Sequence, residues 1–490
     1  MPARQPTVLV VGAGFGGLAA ALELTRAGYR RVTVVERAAE LGGVWRANTY
    51  PGAACDIPSP YYSFSYAPNP AWPMRFSAQR DIKDYLGKVA ADHGIAPRFD
   101  TEVTGATFDE SAGRWRVETA DGDALTADVL VPAVGQLSRP AVPAIRGAAA
   151  FTGAAFHSAE WNHDISLAGR RIAVIGTGAS AVQFVPHLRR QAAELTVYQR
   201  SAPYIVPKPD RDYSPRHQRV FASIPAVQRI ERAFFWSIGE LSTAGIVGNR
   251  FLTAVLRAIT RTHLRRQVAD PVLRAALTPD YPIGCKRVLF SNDYYPTLRA
   301  PNVALVTDAI AEITPTGVRT ASGATREHDV IVYGTGFRAT EFLAPMTIRG
   351  RGGRELADEW AGGATAYLGM TVPHFPNMFL MYGPNTNLGA GSIVYMLERQ
   401  ARYLRQAVDL LAAGPSTVDV RRTVADRFDA EVQARLAGTA WSGCTSWYRT
   451  ASGRVPTNWP GLVTEYHRRT RTFDPADYRV TGMSELASGS

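Results

Sequence analysis

The chain has few cysteines, no long apolar run and no block of basic residues. Among its 490 residues, Cys55, Cys285 and Cys444 form an odd, widely spaced set, which argues against a disulfide framework and against a zinc site. No uncharged apolar segment approaches the roughly 20 residues that a membrane helix needs. The first residues run into a β-branched apolar segment without a signal-peptide pattern. We therefore expect a cytoplasmic protein with no membrane partner and no metal.

The net charge of +11 is not concentrated in a run of the kind that marks a nucleic-acid-binding tail. Nucleic acid is therefore not expected as a partner, whereas excess positive charge favours anionic small molecules. The length predicts two or three domains. A composition of 46% hydrophobic and 20% charged residues is typical of a globular protein. Nothing in the sequence points to an obligate protein partner.

A glycine-rich turn follows the first apolar strand and contains Gly12, Gly14 and Gly17. A helix and a second strand come next, and the second strand ends in Glu36, 24 residues after Gly12. This order predicts a βαβ unit whose turn approaches a pyrophosphate and whose helix amino terminus favours anions. A carboxylate at this offset accepts both ribose hydroxyls, which favours a nucleotide without a 2′-phosphate.

A second unit of the same kind contains Gly176, Gly178 and Ala181. At the offset where the first unit has an acid, the second has Arg200, preceded by Gln199. An Arg there removes the repulsion and supplies several donors for a 2′-phosphate. The two units predict an α/β fold with two Rossmann-type domains, interrupted by a helical insertion.

A connector between the two units has four residues in fixed register, Phe-x-Gly-x-x-x-His-x-x-x-Trp. These are Phe151, Gly153, His157 and Trp161. The pattern resembles the fingerprint of Baeyer–Villiger monooxygenases, although Asn162 follows where that family has Pro or Asp. The resemblance extends over nearly the whole chain, from about residue 6 to 478.

The resemblance implies FAD in the first unit, NADPH in the second, and an NADPH-dependent flavin monooxygenase. Such an enzyme uses O2 to insert one oxygen next to a ketone carbonyl, through a C4a-peroxyflavin, and yields an ester or lactone. Its implied partners are a small-molecule ketone and O2.

The resemblance also implies catalytic residues. Arg287, in Gly284-Cys285-Lys286-Arg287, matches the family's catalytic Arg, which cannot lose its charge at working pH. Asp56 matches the acid that orients it. His157 is expected to link the connector to the motion of the NADP domain, not to carry a proton.

Cofactor contacts are predicted for both units. Those to FAD are Gly12, Gly14, Phe15, Gly17, Glu36, Val44, Trp45, Asp56, Tyr62, Val103 and Ile393. Those to NADP are Gly176, Thr177, Gly178, Ala179, Ser180, Gln199, Arg200, Lys286 and Trp447. By resemblance, Lys286 contacts the 2′-phosphate and Trp447 the nicotinamide ribose.

The predicted domains are discontinuous. They are an FAD-binding domain (1–145 and 325–480), an NADP-binding domain (146–209 and 277–324), a helical insertion (210–276) and a disordered tail (481–490). The run 329–337 is interpreted as a second return to the first sheet. The insertion either defines a substrate pocket or is a structural addition.

Two alternatives stay open at this point. One is a flavin monooxygenase that oxygenates N or S atoms and needs no Arg, and the other is a non-catalytic nucleotide-binding protein. Arg287, Asp56 and Trp161 favour the Baeyer–Villiger reaction over N or S oxygenation, and the complete set of site residues disfavours the non-catalytic protein.

Overall fold

The structure, a computed structural model, describes residues 5–482. The first sheet is parallel and has three strands in the order Val32–Val35, Val8–Val11, Val129–Pro132. Its central strand is entirely buried, as expected where both faces of a parallel sheet are covered. The helix Phe15–Arg26 follows that strand and packs against Ile393–Ala412 from the carboxyl-terminal part of the chain.

The second sheet is also parallel and has five strands. Their order is Val303–Val306, Glu194–Tyr198, Arg171–Ile175, Val330–Tyr333, Ala154–His157. The helix Ala179–Arg189 follows Arg171–Ile175 in the second glycine unit. Two parallel sheets, each with a glycine turn and a helix after its central strand, confirm the predicted α/β fold class.

Smaller sheets accompany the two parallel ones. One consists of Thr347–Arg349, Val103–Asp109, Arg114–Thr119 and Ala124–Ala127, and another of Ile310–Thr314, Gly317–Thr320 and Thr325–Glu327. Two strand pairs are Ile205–Val206 with Leu289–Phe290, and Thr417–Val420 with Tyr478–Thr481.

The predicted insertion is helical. Its helices are Pro215–Ser223, Pro225–Ile246, Arg250–Gln267 and Pro271–Ala276. In addition to the three helices already named, the described residues outside the insertion form the α-helices Val44–Ala47, Gln79–Asp92, Tyr294–Thr297, Leu356–Glu359, Arg422–Ala437 and Val463–Arg469. Across residues 5–482, no helix is both long enough and apolar enough to cross a membrane.

One strand assignment from the sequence is wrong. Val330–Tyr333 does not return to the first sheet, because it pairs in parallel with Arg171–Ile175 on one side and with Ala154–His157 on the other. An apolar β-branched strand fits either parallel sheet, so composition does not distinguish them. The second domain therefore extends past the predicted boundary at 325.

The predicted disordered tail begins too early. Thr481 is buried and pairs with Thr417, so the chain is still in a strand there. Residues 483–490 of that prediction lie outside the described residues.

Candidate active site

A cleft of about 1570 Å³ is lined by residues at the carboxyl ends of strands from both parallel sheets. A pocket for one small molecule is typically about 300–1,000 Å³, so the cleft is large enough for more than one. Ligands in open α/β folds bind at this edge of the sheet. All of the predicted cofactor contacts line the cleft except Gly17.

The turn after the first strand fits a pyrophosphate. Gly12 has φ +106°, and a Cβ there would lie 2.7 Å from the carbonyl oxygen of Ala133. The helix Phe15–Arg26 begins at Gly14 with no side-chain cap, so its first N–H groups are available to an anion. Gly17 lies within this helix, and a Cβ there would clash with the Gly12 carbonyl, so its role is close packing.

Glu36 is held at the end of its strand. Its carboxylate accepts hydrogen bonds from the backbone N–H of Ala13 (2.8 Å) and of Ala38 (3.1 Å). Each carboxylate oxygen can accept more than one hydrogen bond. The side chain can therefore still bind ribose hydroxyls from its fixed position in the cleft wall.

Aromatic side chains form the wall beside this nucleotide site. The Trp45 indole Nε1 donates to the hydroxyl of Tyr62 (3.2 Å), and the two rings meet edge-on with centroids 5.7 Å apart. Phe15 packs edge-on against Tyr62 with centroids 5.1 Å apart. A rigid apolar wall of this kind suits a flat ring system and excludes water.

The second glycine turn repeats the first. Gly176 has φ +109°, and a Cβ there would lie 2.4 Å from the carbonyl oxygen of Gly334. The helix Ala179–Arg189 also begins without a side-chain cap or an acidic residue in its first turn. The matched pair of anion sites fits two dinucleotides bound face to face.

Two basic residues lie at the end of the second nucleotide site that is formed by Arg200 and the segment of Lys286. Arg200 is exposed at the cleft, and the Lys286 Nζ donates to the Ser201 hydroxyl (2.6 Å). Burial, and next the charge of Arg200, lower the pKa of Lys286. The charge of Asp280 partly opposes this lowering, and Arg200 and Lys286 together place two positive charges at this end of the cleft. Gln199 also lines the cleft, but its Nε2 donates to the Ala276 carbonyl (2.7 Å).

Arg287 and Asp56 form a two-bond ion pair within the cleft. The Arg287 Nε donates to one Asp56 carboxylate oxygen and Nη2 to the other, both at 2.8 Å. The side chains are 31% and 22% exposed. Asp56 raises the pKa of Arg287, an effect that burial opposes. The recorded bonds to Asp56 use Nε and Nη2, so Nη1 is not committed to that carboxylate.

Two tyrosines near Arg287 were not found by sequence reasoning. Burial raises the pKa of Tyr448 to about 12, and it also raises that of Tyr382, while Arg287 opposes both shifts. Both phenols therefore stay neutral at working pH. The Tyr382 hydroxyl donates to Asn387 (2.7 Å), which also lines the cleft. Neither tyrosine lies in a recognisable motif.

A polar bridge joins the two halves beside the cleft. The Tyr50 hydroxyl donates to the Gln183 Oε1 (2.9 Å), and the Gln183 Nε2 donates to the Ala54 carbonyl (2.9 Å). Sequence reasoning missed Gln183, although it stands out as a polar residue among apolar neighbours on the helix Ala179–Arg189.

His157 does not line the cleft, contrary to its place among the catalytic candidates. It is buried at the end of Ala154–His157, where its Nδ1 accepts from the Ala159 N–H (3.1 Å). Burial lowers its pKa, and its ring meets Phe337 edge-on at 5.6 Å. Trp161 similarly packs in the core against Phe184.

The cysteine spacing argues against a disulfide framework and gives no indication of the disulfide bond that the structure contains. Cys285 and Cys444 form a disulfide across 159 residues of sequence, while Cys55 is free and buried. The bond ties the segment of Lys286 and Arg287 to the loop that carries Trp447. Sequence spacing gave no signal because the partners come from two distant loops that meet over the cleft.

Comparison with known proteins decides the family. A family model described as pyridine nucleotide-disulphide oxidoreductase matches residues 9–244. A Baeyer-Villiger monooxygenase of Streptomyces coelicolor is 44% identical over 96% of this chain and 92% of its own length. One of Pseudomonas aeruginosa is 40% identical over 98% and 92%. The chain belongs to the Baeyer–Villiger monooxygenases.

Solved structures agree with this assignment. An oxidized steroid monooxygenase bound to NADP superimposes with a TM-score of 0.87 at 32% identity, covering 97% of this chain and 99% of the other. A closed structure of cyclohexanone monooxygenase gives 0.86 at 27% identity over 97% and 99%. A further structural neighbour is a complex with FAD and NADP. The predicted family and enzyme class, an FAD- and NADPH-dependent monooxygenase, are thus confirmed.

Proposed function

We propose that this Baeyer–Villiger monooxygenase acts on a ketone in the cytoplasm and inserts one oxygen atom next to the carbonyl to give an ester or lactone. The observation that carries the proposal is the Arg287–Asp56 pair, held by two hydrogen bonds in the cleft between the nucleotide turns. An N- or S-oxygenating enzyme has no need of a fixed cation there.

We assign FAD to the cleft side of the first sheet and NADPH to that of the second. The carboxylate of Glu36 would accept the ribose hydroxyls of FAD, and Arg200 with Lys286 would hold the 2′-phosphate of NADPH. Trp447, 38% exposed on its loop, would cover the nicotinamide ribose. When bound, the flavin supplies oxygen activation and NADPH supplies the hydride that reduces it.

Arg287 stabilises negative charge that develops at the reacting oxygens. Its guanidinium keeps its proton, and the two hydrogen bonds to Asp56 fix the plane of the group through Nε and Nη2. A fixed donor of this kind needs no reorganisation when charge appears, which is why such groups lower barriers strongly. The Asp56 carboxylate also keeps the Arg287 guanidinium in this orientation when no anion is bound beside it.

Tyr382 and Tyr448 lie near this cation as neutral phenols, because burial raises the pKa of each. Tyr448, with its pKa raised to about 12, adds no negative charge beside Arg287 at working pH. The Arg287 side chain is 31% exposed, and bound cofactors would exclude further water from it, which strengthens charge stabilisation by lowering the local dielectric. His157 acts at a distance, by holding the end of its strand against the segment that returns at Phe337.

A ketone panel tests the proposal. Purified protein is incubated with NADPH and linear, cyclic and aromatic ketones under 18O2, and the products are analysed by gas chromatography with mass spectrometry. An ester or lactone carrying one 18O atom supports the proposal. Amines and sulfides are tested in parallel under the same conditions. Oxygenation of amines or sulfides without conversion of any ketone would contradict the proposal.

A further inference from the structure

The helical insertion presents an unpartnered apolar face to solvent. On Pro225–Ile246, large apolar side chains recur every three or four residues and are exposed, and the neighbouring helix Arg250–Gln267 continues the pattern at intervals of four. We call these the apolar stripe: Val227, Ile230, Phe234, Ile238, Leu241, Phe251, Val255 and Ile259. Phe234 is 58% exposed and Phe251 73%. Most other large apolar side chains of the described chain are at least partly buried.

The stripe is not a wall of the active site. No residue of 210–276 lines the cleft, so the sequence-based idea that the insertion defines the pocket receives no support. The opposite face of Pro225–Ile246 attaches the insertion to the enzyme. Thr243 donates to the Ala390 carbonyl (3.2 Å), and the backbone at Gly239 lies against Gly391. The stripe is left facing outward by this attachment.

The charge around the stripe is almost entirely positive. Residues 214–267 contain nine arginines, no lysine and two acidic residues, a net +7 of the chain's +11. Eight of the nine arginines are exposed, and the ninth, Arg232, donates inward to the Pro60 and Ser63 carbonyls.

The two acids point inward as well. Glu231 accepts from Arg75 and Tyr213, and Glu240 accepts from the Val463 N–H (2.8 Å) at the start of another helix. The outer face of the two long insertion helices therefore combines large apolar side chains with arginines and no competing carboxylate of its own.

We propose that this face docks on the surface of a membrane that contains anionic lipids. Helices that lie in a membrane interface combine bulky apolar side chains on one side with arginine or lysine beside them. Negative lipid headgroups complement the net +7, whereas a second copy of this chain would bring the same positive charge to the contact. This docking goes beyond the proposed reaction. It also departs from the expectation of no membrane partner, which rested on the lack of an apolar segment long enough to span a membrane.

Vesicle flotation tests the proposal on the intact holoenzyme. The protein is mixed with vesicles of phosphatidylcholine alone or of phosphatidylcholine with phosphatidylglycerol. We expect flotation with the anionic vesicles, little with the neutral ones, and loss of binding as salt screens the charges. Equal binding to both, or binding to neither, would overturn the proposal.

Variants separate the two contributions. Phe234→Ser with Phe251→Ser should abolish flotation, because it removes the bulkiest apolar groups of the stripe. Arg257→Ala with Arg261→Ala should weaken binding about 25-fold, since each basic residue at an anionic surface contributes about fivefold. Arg30→Ala, an exposed arginine outside the insertion, is the matched control and should bind as the parent does.

Two further measurements keep the result interpretable. Melting temperature and flavin content of every variant should equal those of the parent, because none of these side chains lines the cleft. Sedimentation without vesicles tests the competing occupant. If the protein self-associates through Phe234 and Phe251 and does not float, the stripe is a contact between copies and the membrane proposal is wrong.

Discussion

Selectivity for NADPH over NADH should depend on Lys286, whose Nζ lies 2.6 Å from the Ser201 hydroxyl beside Arg200. A hydrogen bond to a charged group contributes about 1.5–3 kcal/mol, which corresponds to about 10- to 150-fold in KM. Lys286→Ala should raise the KM for NADPH by a factor in this range and leave the KM for NADH nearly unchanged. Adding Arg200→Ala should bring the two cofactors to similar values.

The same site predicts a pH dependence. Burial and Arg200 lower the pKa of Lys286, so the protonated form that binds phosphate is lost at a lower pH than for an ordinary lysine near 10.4. The KM for NADPH should rise with pH in the parent, and Lys286→Arg should flatten this rise because Arg keeps its charge.

Steady-state oxidation of NADPH and NADH at saturating ketone measures both effects. Lys208→Ala is the matched control, because Lys208 lies outside the cleft wall and pairs with Asp210. An unchanged NADPH preference in the Lys286 and Arg200 double variant would refute the assignment of the phosphate site.

Two other predictions address residues away from the cleft wall. His157→Ala should retain FAD, measured by absorbance, but its oxygenation rate should fall by up to about 100-fold. Misplacement of a catalytic segment by about 1 Å has an effect of this size. Loss of both the flavin and the fold would instead show that His157 has a purely structural role. Burial raises the pKa of Asp419 to about 6, so its ionised form is penalised in the folded state and wild-type stability falls as pH rises from about 4 through 6. Asp419→Asn should therefore raise the free energy of unfolding by up to about 3 kcal/mol above pH 7. Urea titrations at several pH values should show that the difference between variant and parent disappears near pH 4. A difference independent of pH would contradict the reasoning.

The local elements and nucleotide turns could be predicted from the sequence because their signals are local. A β-branched run, glycines at fixed intervals and Glu36 or Arg200 at one offset define each βαβ unit within about 30 residues. The Arg287–Asp56 pair, 231 residues apart, was found only through the family resemblance. No local pattern specifies that contact.

Features that depend on long-range packing could not be predicted from the sequence. Val330–Tyr333 has the composition of any buried parallel strand, so its pairing with the second sheet follows only from the assembled neighbours. Cys285 and Cys444 meet because two loops fold over the cleft. The sequence predicts a helical insertion, but only the structure shows that the apolar stripe lies on it and faces solvent.

The most direct test of the central claim is stopped-flow kinetics on Arg287→Ala. The variant is reduced anaerobically with NADPH, mixed with O2, and assayed for ester and for hydrogen peroxide. Removal of one preorganised charge stabiliser costs about 100- to 1,000-fold in rate, and hydride transfer does not need that charge as strictly. We predict flavin reduction close to the parent rate, ester formation lowered by this factor, and hydrogen peroxide in its place; ester formed at the parent rate would contradict the mechanism.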